Sequence, residues 1–236
     1  MAKSIIAKSI IAIVPAAGVG SRMQVDRPKQ YLKLLGQTVL EHTVSKLLAH
    51  PSVSKVVIAV SENDPYFSTL ALANHPQVVR VNGGKERADS VLSALHYICK
   101  HEVSEWVLVH DAARPCFTEQ DVSRLIDSAQ AHSVGAILAS PVRDTMKRGD
   151  QLHNIDHTVE RSNLWHALTP QMFRTVPLRD ALIDGLASKA NITDEASAFE
   201  RLNFSPALVN GRADNIKITQ PEDLALAEFY LSRNKE

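Results

Sequence analysis

The chain has 236 residues, and its 26 lysines and arginines balance 26 aspartates and glutamates. This length suits one large α/β domain, or one domain with an appendage, and an even charge without a basic tract argues against nucleic-acid binding by bulk electrostatics. No apolar run reaches the ~18 residues of a membrane span, and Cys99 and Cys116 lie far apart without metal spacing, as two reduced thiols of a cytoplasmic protein would.

The N-terminal run Ala2-Lys-Ser-Ile-Ile repeats at once from Ala7 and lacks the long apolar core and cleavage site of a signal peptide. It reads as a duplicated strand start or a cloning artefact. Ile10-Ile-Ala-Ile-Val14 is a β-branched run that predicts a buried strand. It ends in Pro15 and then in small residues, Ala16, Ala17, Gly18 and Gly20. A backbone stripped of side chains lets a bulky anion approach its N–H groups. Arg22 and Lys29 follow, with Pro28 stiffening the approach to Lys29. A strand running into a bare loop and then into fixed positive charge suits a nucleoside triphosphate. Met23 stands where the dinucleotide fingerprint needs a third glycine, and no Gly-Lys-Ser/Thr follows, so neither familiar phosphate motif applies. An ordinary glycine-rich turn between strand and helix is the alternative.

Apolar spacing predicts a helix over 39–50, stopped by Pro51, then strands over 55–60 and 78–81, a helix over 87–100 and a strand over 106–109. Thr118-x-x-Asp121 resembles a capping box opening a helix to about 132, and 134–139 is another strand. Strands alternating with helices imply an α/β fold, a Rossmann-like, doubly wound and mainly parallel sheet. The rhythm breaks between Pro141 and Trp165, where polar residues flank the turn Gly149-Asp150. Residues 141–162 therefore predict a protruding β-hairpin arm, which is unstable alone and needs something to pack on. A second subunit is the economical answer, and a mobile loop is the alternative. Helices are expected over 178–190 and 194–202, the latter capped by Thr193. Short strands are expected at 207–209 and 216–218, and a last helix to about 231 opened by Thr219-x-Pro221-Glu222.

Ligands in open parallel sheets bind beyond the carboxyl ends of the strands. Four loops fall there: 15–22, 83–90, 110–115 and 214–217. Gly83-Gly84 allows close backbone approach to a base with Ser90 nearby, or forms a plain turn. Arg87 is either a ligand or the partner of Glu86 or Asp89. Asp111 is suited to hold Mg²⁺ against phosphates, or caps the next turn. Asp214 is a second candidate metal ligand by loop position. His110 reads as structural. No zinc site is expected, since His, Cys and Glu never cluster at zinc spacing.

Several motifs stand in order along the chain. They begin with Pro15-Ala-Ala-Gly-x-Gly-x-Arg-Met23, Pro28-Lys-Gln-Tyr31, Gly83-Gly-x-Glu-Arg-x-Asp-Ser90 and Val109-His-Asp-Ala-Ala-Arg-Pro115. They continue with Pro141-Val-Arg-Asp-Thr-Met-Lys147, Arg161 before Leu164-Trp-His-Ala-Leu-Thr-Pro-Gln171, Ile192-Thr-Asp-Glu-Ala196 and Gly211-Arg-Ala-Asp-Asn-Ile-Lys217. Together they resemble the 2-C-methyl-D-erythritol 4-phosphate cytidylyltransferases, within the wider group of sugar-phosphate nucleotidyltransferases. The resemblance implies a single nucleotidyltransferase domain over 1–236 that moves CMP from CTP to methylerythritol phosphate. It implies Arg22 and Lys29 as catalytic residues, with Ala16, Ala17, Gly18, Gly84 and Ser90 binding the nucleotide. Asp111, Arg114, Thr145, Arg161, Thr169 and Lys217 would bind the acceptor, with Mg²⁺ or another divalent cation at Asp111. A cytoplasmic homodimer joined through the arm is expected, with no nucleic-acid or membrane partner and with Arg161 reaching the neighbouring site. The competing expectations are a nucleotidyltransferase for another phosphorylated sugar and a CTP-binding regulator without turnover.

Overall fold

A computed structural model describes residues 9–18 and 27–233, so Arg22, Gly20 and the first copy of the terminal repeat lie outside the described residues. β1 (Ile10–Pro15) is rich in β-branched side chains, which pack well on a pleated surface. Period two divides them between the faces of the sheet. Ile10, Ala12 and Val14 join one apolar cluster with α1 (Val39–Ala49) and α3 (Glu119–Ala131). Ile11 and Ile13 join another with α2 (Arg87–His101) and α4 (Thr175–Ala187). A strand covered on both faces needs an unbroken apolar run, which is what the sequence carries here.

Seven strands lie in the order β11 (Ala207–Asn210), β7 (Gly135–Pro141), β10 (Trp165–Arg174), β6 (Trp106–Val109), β1, β4 (Val53–Val60) and β5 (Val78–Asn82). β1 pairs in parallel with β4 on one side and β6 on the other. The loops leaving β1 and β6 therefore part at a switch point, where open α/β sheets form their ligand crevice. The expected doubly wound, mainly parallel sheet is present.

β10 is an addition to that expectation. It runs antiparallel to both β6 and β7. Pro170 argues locally against a central strand, because proline cannot donate to a ladder. The register shifts between Ala167 and Gln171, so the proline falls where the pairing is already irregular. Three smaller corrections apply. Residues 216–218 form no strand, and the Ile218 N–H donates instead to Ala113 in a loop. α5 (Glu195–Glu200) is capped by Asp194 rather than Thr193. Before α6 (Glu222–Arg233), the Asp223 carboxylate accepts from the N–H groups of Thr219 and Gln220, while the Thr219 hydroxyl donates to Lys217 O. The Thr118–Asp121 capping box at α3 is formed as expected.

β2 (Lys33–Leu34) and β3 (Gln37–Thr38) make a small hairpin leading into α1. β8 (Met146–Gly149) and β9 (Ile155–Val159) pair with each other as a separate two-stranded sheet, almost wholly exposed. This is the expected arm. Among the described residues, no helix is long and apolar enough to cross a membrane.

Candidate active site

The loops after β1, β5 and β6, together with Lys217, enclose a cavity of about 240 Å³ at the switch point. Ala16, Ala17, Gly18, Lys29, Gly84, Ser90, Asp111 and Lys217 all stand in its walls. Residues up to 202 positions apart in the chain, Pro15 and Lys217, thus meet in one crevice.

The loop after β1 is held by Gln30, a buried side chain. Its Nε2 donates to Ala16 O at 2.7 Å and to Gly18 O at 3.1 Å. Two carbonyls that would repel a phosphate are thereby tied to an amide. Gln30 stands in the Pro28-Lys-Gln-Tyr31 motif, and a polar side chain beside a bare loop was the available signal for it. Lys29 Nζ donates to Ile218 O at 2.8 Å, which links the N-terminal and C-terminal walls.

On the opposite side the Gly84 N–H donates to Ser90 Oγ at 3.1 Å, and Ser90 Oγ donates to Glu86 O. A Cβ on Gly84 would stand 2.2 Å from the Asp89 Cβ, so only glycine lets the loop pass this close to the first turn of α2. A Cβ on Gly83 would stand 2.5 Å from that of Ala17, so the two glycine-bearing loops meet nearly backbone to backbone.

Asp111 is the electrostatic centre of the far wall. Its Oδ1 accepts from Arg87 Nε at 2.9 Å. Its Oδ2 faces Lys217 Nζ at 2.8 Å and Arg114 Nε at 3.6 Å. Burial by itself would raise this carboxyl's pKa, but the three cations outweigh burial and hold it well below the usual carboxylate range. Arg87 pairs with neither Glu86 nor Asp89, and the Asp89 carboxylate accepts from the Glu86 N–H instead. The Arg87 fork goes to Glu195, 108 positions away, at 2.7 and 3.0 Å. Glu195 is a further residue of the site that sequence reading did not single out. Its only local signal was its place in Ile192-Thr-Asp-Glu-Ala196.

Thr169 is buried beneath Asp111. Its hydroxyl accepts from the Asp111 N–H at 3.1 Å and donates to His110 Nδ1 at 3.0 Å. The other ring nitrogen, Nε2, donates to Arg114 O at 2.9 Å. Nε2 carries a proton because Arg114 O can only accept, and in a neutral ring Nδ1 is then left to accept from Thr169. Burial pushes the His110 pKa down to about 4, in agreement. His110 is therefore structural, as its sequence context suggests, and it orients the Thr169 hydroxyl.

Arg114 and Lys217 line an adjoining groove with Arg143, Asp144 and His166. Arg114 Nη1 donates to Asn215 O at 2.7 Å, and Asn215 Nδ2 donates to Thr169 O at 2.8 Å, so the segment carrying Lys217 is pinned to β10. Thr145 and Arg161 are not in this assembly. They share a separate hollow on the arm with Thr158, Val159 and Glu160. Asp214 is paired with Arg212 and does not line the main cavity. Among the described residues, no group of three or more His, Cys, Asp or Glu side chains is placed to cage a metal ion. Arg22 lies outside the described residues.

Known proteins are similar to this chain in sequence and in fold. The family model described as IspD, 2-C-methyl-D-erythritol 4-phosphate cytidylyltransferase, matches residues 10–233. The 2-C-methyl-D-erythritol 4-phosphate cytidylyltransferase of Vibrio cholerae serotype O1 is 71% identical over 228 residues, covering 97% of this chain and 98% of that protein. The crystal structure of the enzyme of that name from Francisella tularensis superposes with a TM-score of 0.81 at 36% identity, over 94% of this chain and 99% of that one. A crystal structure of 4-diphosphocytidyl-2C-methyl-D-erythritol synthase does so with a TM-score of 0.81 at 38% identity, over 95% and 99%. The bare loop after β1, the glycine pair facing it and the Asp111 cluster all fall within the matched span. On these grounds the chain belongs to the 2-C-methyl-D-erythritol 4-phosphate cytidylyltransferase family.

Proposed function

We infer that this chain transfers CMP from CTP to 2-C-methyl-D-erythritol 4-phosphate, releasing pyrophosphate. The observation that carries the reading is one cavity at the sheet's switch point, walled by a side-chain-poor loop, two lysines from opposite ends of the chain and Asp111. The acceptor's phosphate oxygen attacks the α-phosphorus of CTP. The bond from that phosphorus to the bridging oxygen breaks, and its electron pair leaves with pyrophosphate. A phosphate monoester is already ionised near neutral pH, so no general base is needed. Two anions must nevertheless meet in line, so positioning and charge stabilisation supply the rate.

Lys29, with Arg22 by family likeness, stabilises charge on the α-phosphate and the departing pyrophosphate. Ala16, Ala17, Gly18, Gly84 and Ser90 hold the nucleotide through backbone and hydroxyl groups. Asp111, Arg114 and Lys217 hold the acceptor, and Thr169 sets the Asp111 backbone. A single wall carboxylate fits Mg²⁺ arriving with the triphosphate, because Mg²⁺ binds through one or two carboxylates together with substrate phosphates. Asp111 would hold that ion or another divalent cation, which supplies charge neutralisation between the anions.

Thr145 and Arg161 acquire a role in a homodimer. They sit together on an exposed arm that also carries Leu152 and Ile155, 79% and 68% exposed. An arm of that composition favours a second copy as its cover, with Arg161 and Thr145 serving the neighbouring site. The uninterrupted seven-stranded sheet supports a single nucleotidyltransferase domain, and the free cysteines suit the cytoplasm. A pyrophosphate-release assay with CTP, Mg²⁺ and methylerythritol phosphate tests the reading. A panel of other sugar phosphates tests the acceptor, and CTP binding without turnover would identify a regulator instead.

A further inference from the structure

The segment Ile192-Thr-Asp-Glu-Ala196 has no part in the chemistry derived above, yet it reaches the acceptor wall through one arginine. Glu195 opens α5, and its side chain is 1% exposed. Its two oxygens occupy both terminal nitrogens of Arg87, leaving Nε to meet Asp111 Oδ1. Guanidinium and carboxylate prefer to pair fork to fork. An Arg87 with its fork unoccupied would take both oxygens of Asp111 and draw the carboxylate away from the cavity. With the fork occupied, Arg87 can reach only one oxygen, and Oδ2 stays on the side of Lys217 and Arg114.

The scaffold supports both ends of this arrangement from one strand. On β10, Thr169 accepts from the Asp111 N–H. Two residues later, Gln171 Nε2 donates to Asp194 Oδ2 at 2.9 Å, and Gln171 Oε1 accepts from the Ala196 N–H at 3.1 Å. Asp111, Arg87, Glu195, the α5 N-terminus, Gln171 and Thr169 thus form a loop closed by hydrogen bonds together with the backbone of α5 and β10. Around it stand three cations, Arg87, Arg114 and Lys217, and three carboxylates, Asp111, Asp194 and Glu195, and all three cations are within reach of Asp111.

We propose that Glu195 is a positioning residue, which occupies the Arg87 fork so that Asp111 Oδ2 stays on the cavity side with Lys217 and Arg114, where it sets the wall that receives methylerythritol phosphate. The proposal rests on the cytidylyltransferase reading above. Glu195→Gln keeps the shape, removes the charge and puts an NH₂ against one of the Arg87 donors. Arg87→Lys keeps a charge that cannot bind Glu195 and Asp111 in this geometry.

The test measures steady-state kinetics of the full-length protein with each substrate varied in turn, alongside thermal melts. Both variants are expected to raise KM for methylerythritol phosphate by ~10- to 100-fold, the scale of a small displacement of a positioned group. KM for CTP should stay within about twofold, and Glu195→Asp, which restores a carboxylate, should recover part of the loss. The double variant Arg87→Lys/Glu195→Gln should be no worse than the worse single variant, because both act through Asp111. An equal rise in both KM values would overturn the proposal. So would unchanged kinetics, or failure of both single variants to fold, since the pair would then serve stability alone. A wild-type protein that is inert with CTP and methylerythritol phosphate would remove the underlying reading, a result separate from an active wild type whose variants behave alike.

Discussion

Asp111→Asn is the most demanding perturbation of this site, because it keeps the side-chain shape and removes one anion from among three cations. Unit charges 2.9 Å apart, the Arg87–Asp111 separation, attract by ~6 kcal/mol at an effective dielectric near 20. Desolvation of a carboxylate only 10% exposed cancels much of that gain. Lys217, at 40% exposure, contributes less than its 2.8 Å distance suggests because water screens it. Arg87 keeps Glu195 in the variant, but Arg114 loses its carboxylate partner while only 12% exposed. Breaking a buried pair of this kind costs ~3–5 kcal/mol. For a chain of this size that corresponds to a Tm lower by ~6–20 °C. The assay is denaturant unfolding and calorimetry at neutral pH and again under acid. Asp111 is depressed below its ordinary value of 3.8 in the fold, so its stabilisation is fully present above that pH and is lost as pH falls further. The gap between wild type and Asn variant should therefore narrow below about pH 4. A neutral-pH gap under ~1 kcal/mol, the size of a surface pair, would refute the argument. So would a gap that widens on acidification.

Lys29→Ala should lower kcat by ~10²- to 10³-fold, the loss expected for one preorganised donor at developing charge. Its melting temperature should fall by a few degrees as the bond to Ile218 O is lost, and near-normal kcat would remove Lys29 from the mechanism. His110 should stay neutral on NMR titration between pH 8 and 5, since its pKa is lowered to about 4. Its contribution to stability is complete above the ordinary histidine value of 6.5 and falls away as pH drops toward 4, so an imidazole titrating near 6.5 would contradict its burial. For the arm, mixing inactive Arg161→Ala with inactive Lys29→Ala should restore activity on subunit exchange, because a mixed dimer contains one intact shared site. Exchange without rescue would confine each site to one chain.

The sequence by itself determined whatever depends on neighbours in the chain. The run from Ile10 to Val14 has a single sensible fate, a strand covered on both faces. Thr118 and Asp121 are three residues apart and find each other in any nascent helix. The bare loop, Gly84 with Ser90, and the arm were legible for the same reason, since small residues, turns and polar alternation are local properties. Tertiary structure alone decided β10, whose proline and mixed polarity say little until β6 and β7 pair with it on both sides. It also decided the partners of Arg87. Sequence offered Glu86 and Asp89, but Asp89 is spent on the start of α2, and the guanidinium crosses to Asp111 and Glu195. Residues 216–218 look like a strand by composition but join no ladder, because the Ile218 N–H is taken by Ala113 O in the loop after β6. Local preference is encoded within a few residues, whereas a buried charge or an interior strand is matched only by groups that folding brings from far along the chain.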